Sequence, residues 1–460
     1  MKMIRFAAWG IACFFLLVHA TIAGIHTALV VRQAVFPGGP AVGYWLLVVL
    51  AAVVLGAGLK KRRVAGSNGY LLLVAGLIAM MGAGMAWLAA DAPAIVNDYS
   101  EKDVACPSNG SFALLAVFNA GDFQVPGTPG PDGRQDIIAA WDDIQQWRNT
   151  IEALDRFDRI CDLPENAAFN AEIPLLNFRP LRDAADIHGK YFLASVSAGQ
   201  PREATEAFCR LHRVARKGLD GATLLIHKMI FAGLAEQAIE TTWAALQDES
   251  MDRQTLATLN ENFSPVTTEE ISLVRPLISE YLIMKNTMRG LMPGRLMDAS
   301  VLSATGNNDG PTARNPLLSR IVFFLGFRPN RSLADMKIYY DRLIDAGRRH
   351  PVDLSQADAC MEAYIEKPPI RNMVGWVLNS MAMPDFSRYS DRLAVIKIKS
   401  DLLALSLNRR LGETPVLADY YTGRELQYRE DGGFLRHPGR DGLFDTPDDV
   451  TLGKNAEPGR

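Results

Sequence analysis

Three long apolar stretches dominate the start of the chain: Phe6–Val31, Val42–Leu59 and Gly69–Ala90, none with an acidic or basic side chain other than histidine. A helix needs about 20 apolar residues to cross a bilayer, so the pattern predicts three transmembrane helices over residues 1–90. After Asp91 the chain alternates like a water-soluble protein. Ile137, Ile138, Trp141, Ile144 and Trp147 recur at helical spacing and predict an amphipathic helix over 136–149. Further helices are expected over 178–198, 201–217, 220–247 and 267–290. The connections at Gly199–Pro201 and Gly218–Gly221 are short enough to force antiparallel neighbours. Residues 303–316 read as a polar loop. Leu317–Phe327 is strongly apolar but too short to span a bilayer; it is either a core helix or a segment lying on the membrane surface.

The best-formed helix is expected from Asp385 to Leu411, with Asp385 or Ser387 capping its start and Gly412 ending it. Beyond residue 415 the chain becomes aromatic and rich in glycine and aspartate, which suits a small β-hairpin with loops. The expected organisation is a three-helix anchor over 1–90, a linker over 91–135, a helical domain over 136–384, and a long helix with a β/loop tail over 385–460. The expected fold class is therefore mainly α. The stretch GQPREATEAFCRLHRVARKG and the helix after it resemble a tetratricopeptide-type hairpin, but no 34-residue period recurs, so an irregular helical array is expected.

Charge fixes a direction across the membrane. Lys60, Lys61, Arg62 and Arg63 sit together between the second and third apolar segments, and Lys2 and Arg5 precede the first. Cytoplasmic loops retain such cations. This places the N-terminus inside and residues 91–460 in the periplasm of a bacterial inner membrane. The first segment has the alternative of being a signal peptide, which leaves the large domain on the same side. A net charge of −3 gives no basic excess for nucleic acid.

Candidate chemistry is sparse. Among the five cysteines, Cys106, Cys161, Cys209 and Cys360 fall in the exported part, where Cys106–Cys161 and Cys209–Cys360 are the expected disulfides and buried free thiols the alternative. His19 and His26 share a face of the first segment but lie roughly 10 Å apart along a helix, too far to share a metal. His188, His212 and His227 fall in expected helices, where a neighbour such as Asp183 or Asp186 would make an acid/base pair, or where the rings are simply packed. No nucleophile elbow, zinc-protease motif, P-loop or dinucleotide fingerprint is present.

Asp419, Gly423 and Tyr428, followed by Gly439, Asp441, Gly442 and Asp448-Asp449, resemble the tail of the major pseudopilins of type II secretion. That resemblance covers only the C-terminal portion. Tyr420 and Glu425 replace its usual prolines, and the N-terminal processing site that precedes a pseudopilin's long helix is missing, so the chain is not a pseudopilin. The resemblance implies a long helix, a short sheet and a calcium loop; the candidate ligands are Asp441, Asp445, Asp448 and Asp449, with a solvated acidic turn as the alternative. The wider chain is similar to a group of bacterial membrane-anchored helical envelope proteins that carries no assigned activity. The similar residues are Phe327–Leu333, Met383–Tyr389 and the NFRPLRD segment from Asn177. The expected role is a membrane-bound scaffold that binds other envelope proteins. The alternative is a hydrolase or transferase with its site in the helical domain.

Overall fold

Apolar positions three and four apart drive the helices that dominate the described chain. The structure, a computed structural model, describes most of residues 92–120, 141–290 and 327–453. The three apolar segments, His19, His26 and Cys13 lie outside the described residues, as does all of Leu317–Phe327 except Phe327. Among the described residues no helix is long and apolar enough to cross a membrane. In chain order the elements are α1 (Ser111–Ala120), α2 (Gln145–Asp155), α3 (Arg179–Ser197), α4 (Arg202–Gly221), α5 (Leu225–Leu246), α6 (Arg253–Asn262) and α7 (Val274–Gly290). They continue as α8 (Pro329–Gly347), α9 (Ser355–Glu366), α10 (Met373–Ala382), α11 (Ser387–Leu411) and the strands β1 (Arg429–Asp431), β2 (Phe434–His437) and β3 (Val450–Leu452). The protein is mainly helical with a small sheet near its C-terminus.

Two compact units divide these elements. One comprises Tyr99–Thr287, Ile338–Met361 and Pro384–Arg460. Its centre is α3, α4 and α5, joined by short turns and packed on one another. Rings of Phe192 and Phe208 stack at 4.6 Å, and Phe178 meets Phe231 edge-on at 5.3 Å. The polar face of α4 is tied down by ion pairs: Arg213 and Lys217 reach Asp155 on α2, and Arg216 reaches Glu270. α11 lies against α5 and α6. Its carbonyl end closes at Gly412 with a left-handed φ of 89°, whereas Asp385 bonds the Ser387 amide at 2.9 Å without forming the helix cap itself.

The tail then folds as an antiparallel sheet of order β1-β2-β3, with β3 packed on α11. Gly432 and Gly433, both at positive φ (56° and 87°), make the two-residue turn between β1 and β2. A disulfide joins Cys106 to Cys161 across 55 residues of sequence. The expected Cys209–Cys360 bridge is not formed. Cys209 is buried in α4, where desolvation pushes its thiol up to about 12, and Cys360 stands half-buried on α9; both are free.

The second unit comprises Met1–Asp98, Met288–Lys337 and Glu362–Met383. Its described core pairs the buried apolar side chains of Phe327, Leu333 and Met336 with a polar cluster. Arg328, Ser332, Asn372 and Asn379 are all buried and join the start of α8 to α10. The Asn372 carboxamide oxygen accepts from the Arg328 amide at 2.8 Å, and its nitrogen donates to the Ser332 hydroxyl at 2.9 Å.

Candidate functional site

The four predicted calcium ligands lie in the loop between β2 and β3, where Asp441, Asp448 and Asp449 bond the loop's own backbone and Asp445 pairs with arginines. Asp448 accepts the Arg440 amide at 2.7 Å, the Asp441 amide at 3.1 Å and the Thr446 hydroxyl at 2.6 Å. Asp449 accepts the Asp445 amide at 2.8 Å, and Asp441 accepts the Leu443 amide at 2.8 Å. Asp445 is clamped by Arg429 at 2.8 Å and Arg436 at 2.7 Å, and the Arg429 hydrogen bond holds its carboxyl below the usual range. Among the described residues no three His, Cys, Asp or Glu side chains converge as a cation cage.

Next to this loop sits a pair that the sequence did not single out. His437 on β2 bonds Asp419 through Nε2, while its Nδ1 accepts the Gly439 amide at 3.0 Å. That acceptor role puts the ring proton on Nε2, where it donates to the carboxylate. The other Asp419 oxygen accepts the Tyr421 and Thr422 amides at 2.9 and 2.8 Å. Burial works against the Asp419 charge, yet the His437 bond and the backbone amides hold its carboxyl low. His437 is 1% exposed and Asp419 4%, so both are sealed from substrate-sized molecules. Asp401 on α11 is buried as well, bonded to Lys397 at 2.6 Å, and burial pushes its carboxyl up to about 6. Asp419 was legible only through the tail pattern; nothing in the spacing pointed to His437.

The three helix histidines are likewise packed. His188 meets Trp141 edge-on and bonds the Ala184 carbonyl at 2.7 Å; burial lowers its pKa to about 4. The Asp183 and Asp186 partners considered for an acid/base pair are engaged elsewhere, with Arg179 and Lys190. His212 stacks on Phe263 at 4.0 Å, and burial drives its pKa well down. His227 bonds Asp162 at 3.0 Å. Asp162, 0% exposed, also accepts the Thr223 and Leu224 amides at 2.8 and 2.9 Å. It thereby supplies the polar partner that the start of α5 needs. The adjacent Lys228 is fully buried; desolvation brings its pKa down to about 7, and its Nζ donates to the Leu219 and Glu270 carbonyls.

An open groove of about 560 Å³ lies beside β1, lined by Arg409, Leu426, Gln427, Tyr428, Glu430 and Phe444. The Arg409 guanidinium sits 4.9 Å above the Tyr428 ring and pairs with Glu430 at 2.6 Å. Arg429 lies 5.1 Å over Phe444. β1 is the edge of its sheet. In a hairpin closed by the Asp431–Phe434 pair, inward and outward amides alternate, so the Glu430 backbone N–H and C=O point away from β2. No protein-family model, curated protein or solved structure matches the chain.

Proposed function

We propose that the protein is a membrane-anchored scaffold of the bacterial envelope, and that its tail groove receives an extended segment of another envelope protein along the free edge of β1. In this reading the three apolar helices of residues 1–90 hold residues 91–460 in the periplasm. The helical hairpins around α3, α4 and α5 form an irregular tetratricopeptide-like array that carries the tail. The groove is the observation that supports the reading: arginine and aromatic side chains flank the outward Glu430 N–H and C=O. Aromatic residues and arginine are enriched at protein contacts, and an unpaired strand edge supplies main-chain hydrogen bonds to an added strand. The imidazoles of His188, His212, His227 and His437 are all sealed at 1–2% exposure, which favours binding over acid/base chemistry.

The calcium expectation enters the same proposal. Asp441, Asp448 and Asp449 offer oxygen ligands on a tight loop, and an ion there would stiffen the segment that presents Phe444. Asp445 would first have to leave Arg429 and Arg436.

A photocrosslinking residue placed at Tyr428 in the full-length protein, irradiated in native membranes, tests the groove. The expected product is a defined adduct with one envelope protein. Glu430→Pro removes the outward N–H, a change tolerated on an edge strand, together with the carboxylate that pairs with Arg409. Glu430→Ala is therefore the control: the proline should abolish the adduct that the alanine variant keeps, while both leave the melting transition in place. An adduct unaffected by Glu430→Pro, or no adduct, sinks the edge-pairing reading.

A further inference from the structure

Helix α10 is built inside out. Its sequence, MVGWVLNSMA, contains no charged residue. At 100° per residue, Asn372, Gly375 and Asn379 share one face, and that face is the buried one. Asn372 is 1% exposed and Asn379 0%. The Asn379 amide donates to the Ser332 carbonyl at 2.9 Å and to the Tyr364 hydroxyl at 3.1 Å. Gly375 is what lets the helix approach: a Cβ there would lie 1.9 Å from the Ser332 hydroxyl oxygen. The opposite face carries Met373, Val374 and Val377, with Met373 43% and Val377 41% exposed. Ile365, next to the Tyr364 that bonds α10, is 44% exposed. A helix bathed in water buries its apolar stripe and solvates its polar one. α10 does the reverse.

Hydrogen bonds place this helix by the point where the chain is expected to leave the bilayer. The third apolar segment ends at Ala90. Two residues on, the Ala92 carbonyl accepts from the Asn330 side chain at 3.0 Å. Asn330 lies in the first turn of α8, between Arg328 and Ser332, the two residues that bond Asn372 at the start of α10. Residue 92, the start of α8 and the start of α10 are thus stitched into one short polar chain.

We propose that α10 is an interfacial helix whose Met373/Val377 face lies in the lipid surface. This rests on the membrane-anchored reading. At 10 residues the helix is too short to span, and its apolar outer face suits the boundary of headgroups and acyl chains. Its hydrogen-bonded asparagines face protein rather than lipid, and the Trp376 indole donates to the Tyr364 carbonyl at 2.9 Å, leaving no side-chain donor of these residues to be desolvated by lipid. With no charge on α10, contact comes from apolar burial and does not need anionic lipid.

The test uses the full-length protein in phosphatidylcholine vesicles, with Cys13, Cys209 and Cys360 replaced and an environment-sensitive fluorophore on Val377→Cys or, as a control, on Ser355→Cys at the exposed start of α9. Nitroxide-labelled lipid is expected to quench the Val377 probe about twofold or more beyond the control, and aqueous iodide to quench it less. Val377→Lys, assayed with the probe on Met373→Cys, should lose the lipid quenching while the protein still melts cooperatively. If the protein resists alkaline carbonate but iodide quenches the Val377 probe like the control, the assignment falls and the anchor stands. Shielding from both quenchers overturns it too, because the face is then covered by protein. Release of the protein by carbonate overturns the anchor and this assignment together.

Discussion

Asp162 is a buried charge on which the start of α5 depends. It is fully buried and holds two backbone amides and the His227 ring at the start of α5. Replacing it with alanine leaves three buried donors without an acceptor, and each such loss costs about 1–3 kcal/mol. Asp162→Ala should therefore lower the unfolding free energy in a urea titration by about 3 kcal/mol or more, and a loss below about 1 kcal/mol would refute this role. His212 gives a second expectation, in pH. Burial pulls its pKa well below 6.5 in the folded state. Below pH 6.5 the unfolded chain takes up a proton that the folded ring refuses, so this contribution to stability is lost as pH falls. Asp401 has the opposite sign: its folded pKa of about 6 lets the native state keep a proton that the unfolded chain releases, a contribution lost as pH rises through 6. The comparison is therefore between wild type and His212→Phe, whose stability should fall less steeply below pH 6.5 by up to about 1.4 kcal/mol per pH unit. Neither role was legible in the sequence, because Asp162 lies 65 residues from His227 and the spacing of either reveals nothing of the other.

At the scale of elements, strong periodicity was legible and weak or inverted periodicity was not. α3 and α11 begin and end within a few residues of their expected bounds, because each repeats apolar positions over several turns, whereas α5, apolar on nearly every side, starts five residues later than expected. α4 runs somewhat further than expected, to Gly221. α1 falls inside the expected linker, as does Cys106. α6 is short and is capped by Asp252, whose side chain accepts the Thr255 amide at 2.7 Å, a cap that the apolar pattern alone does not announce. α10 offers no inward apolar stripe to find. The disulfide is the testable element here. Closing a loop of this length restricts the unfolded chain by roughly 4 kcal/mol. Cys106→Ser with Cys161→Ser should lower the melting midpoint by several degrees. In the native protein, alkylation under denaturing, non-reducing conditions should modify Cys209 and Cys360 and spare Cys106 and Cys161. Labelling of all four would remove the bridge from the account.

For the whole molecule, the calcium proposal for the tail loop predicts a change in thermal stability. Full-length protein melted with millimolar calcium and with chelator should show a higher midpoint with calcium if Asp441, Asp448 and Asp449 hold the ion; equal midpoints would leave those carboxylates as backbone clasps alone. Whatever the loop binds, β3 after it does structural work at a distance. Leu452 is fully buried, and the Gly453 amide donates to Glu240 on α5 across 213 residues of sequence. The consequence concerns time. A chain made from its N-terminus folds in the order in which its parts emerge. α3, α4 and α5 are complete long before β3, and one flank of α5 stays open until residue 453 has been made. A groove built from Arg409, Tyr428 and Phe444 therefore exists only on a finished molecule, and a stalled or clipped chain lacks it.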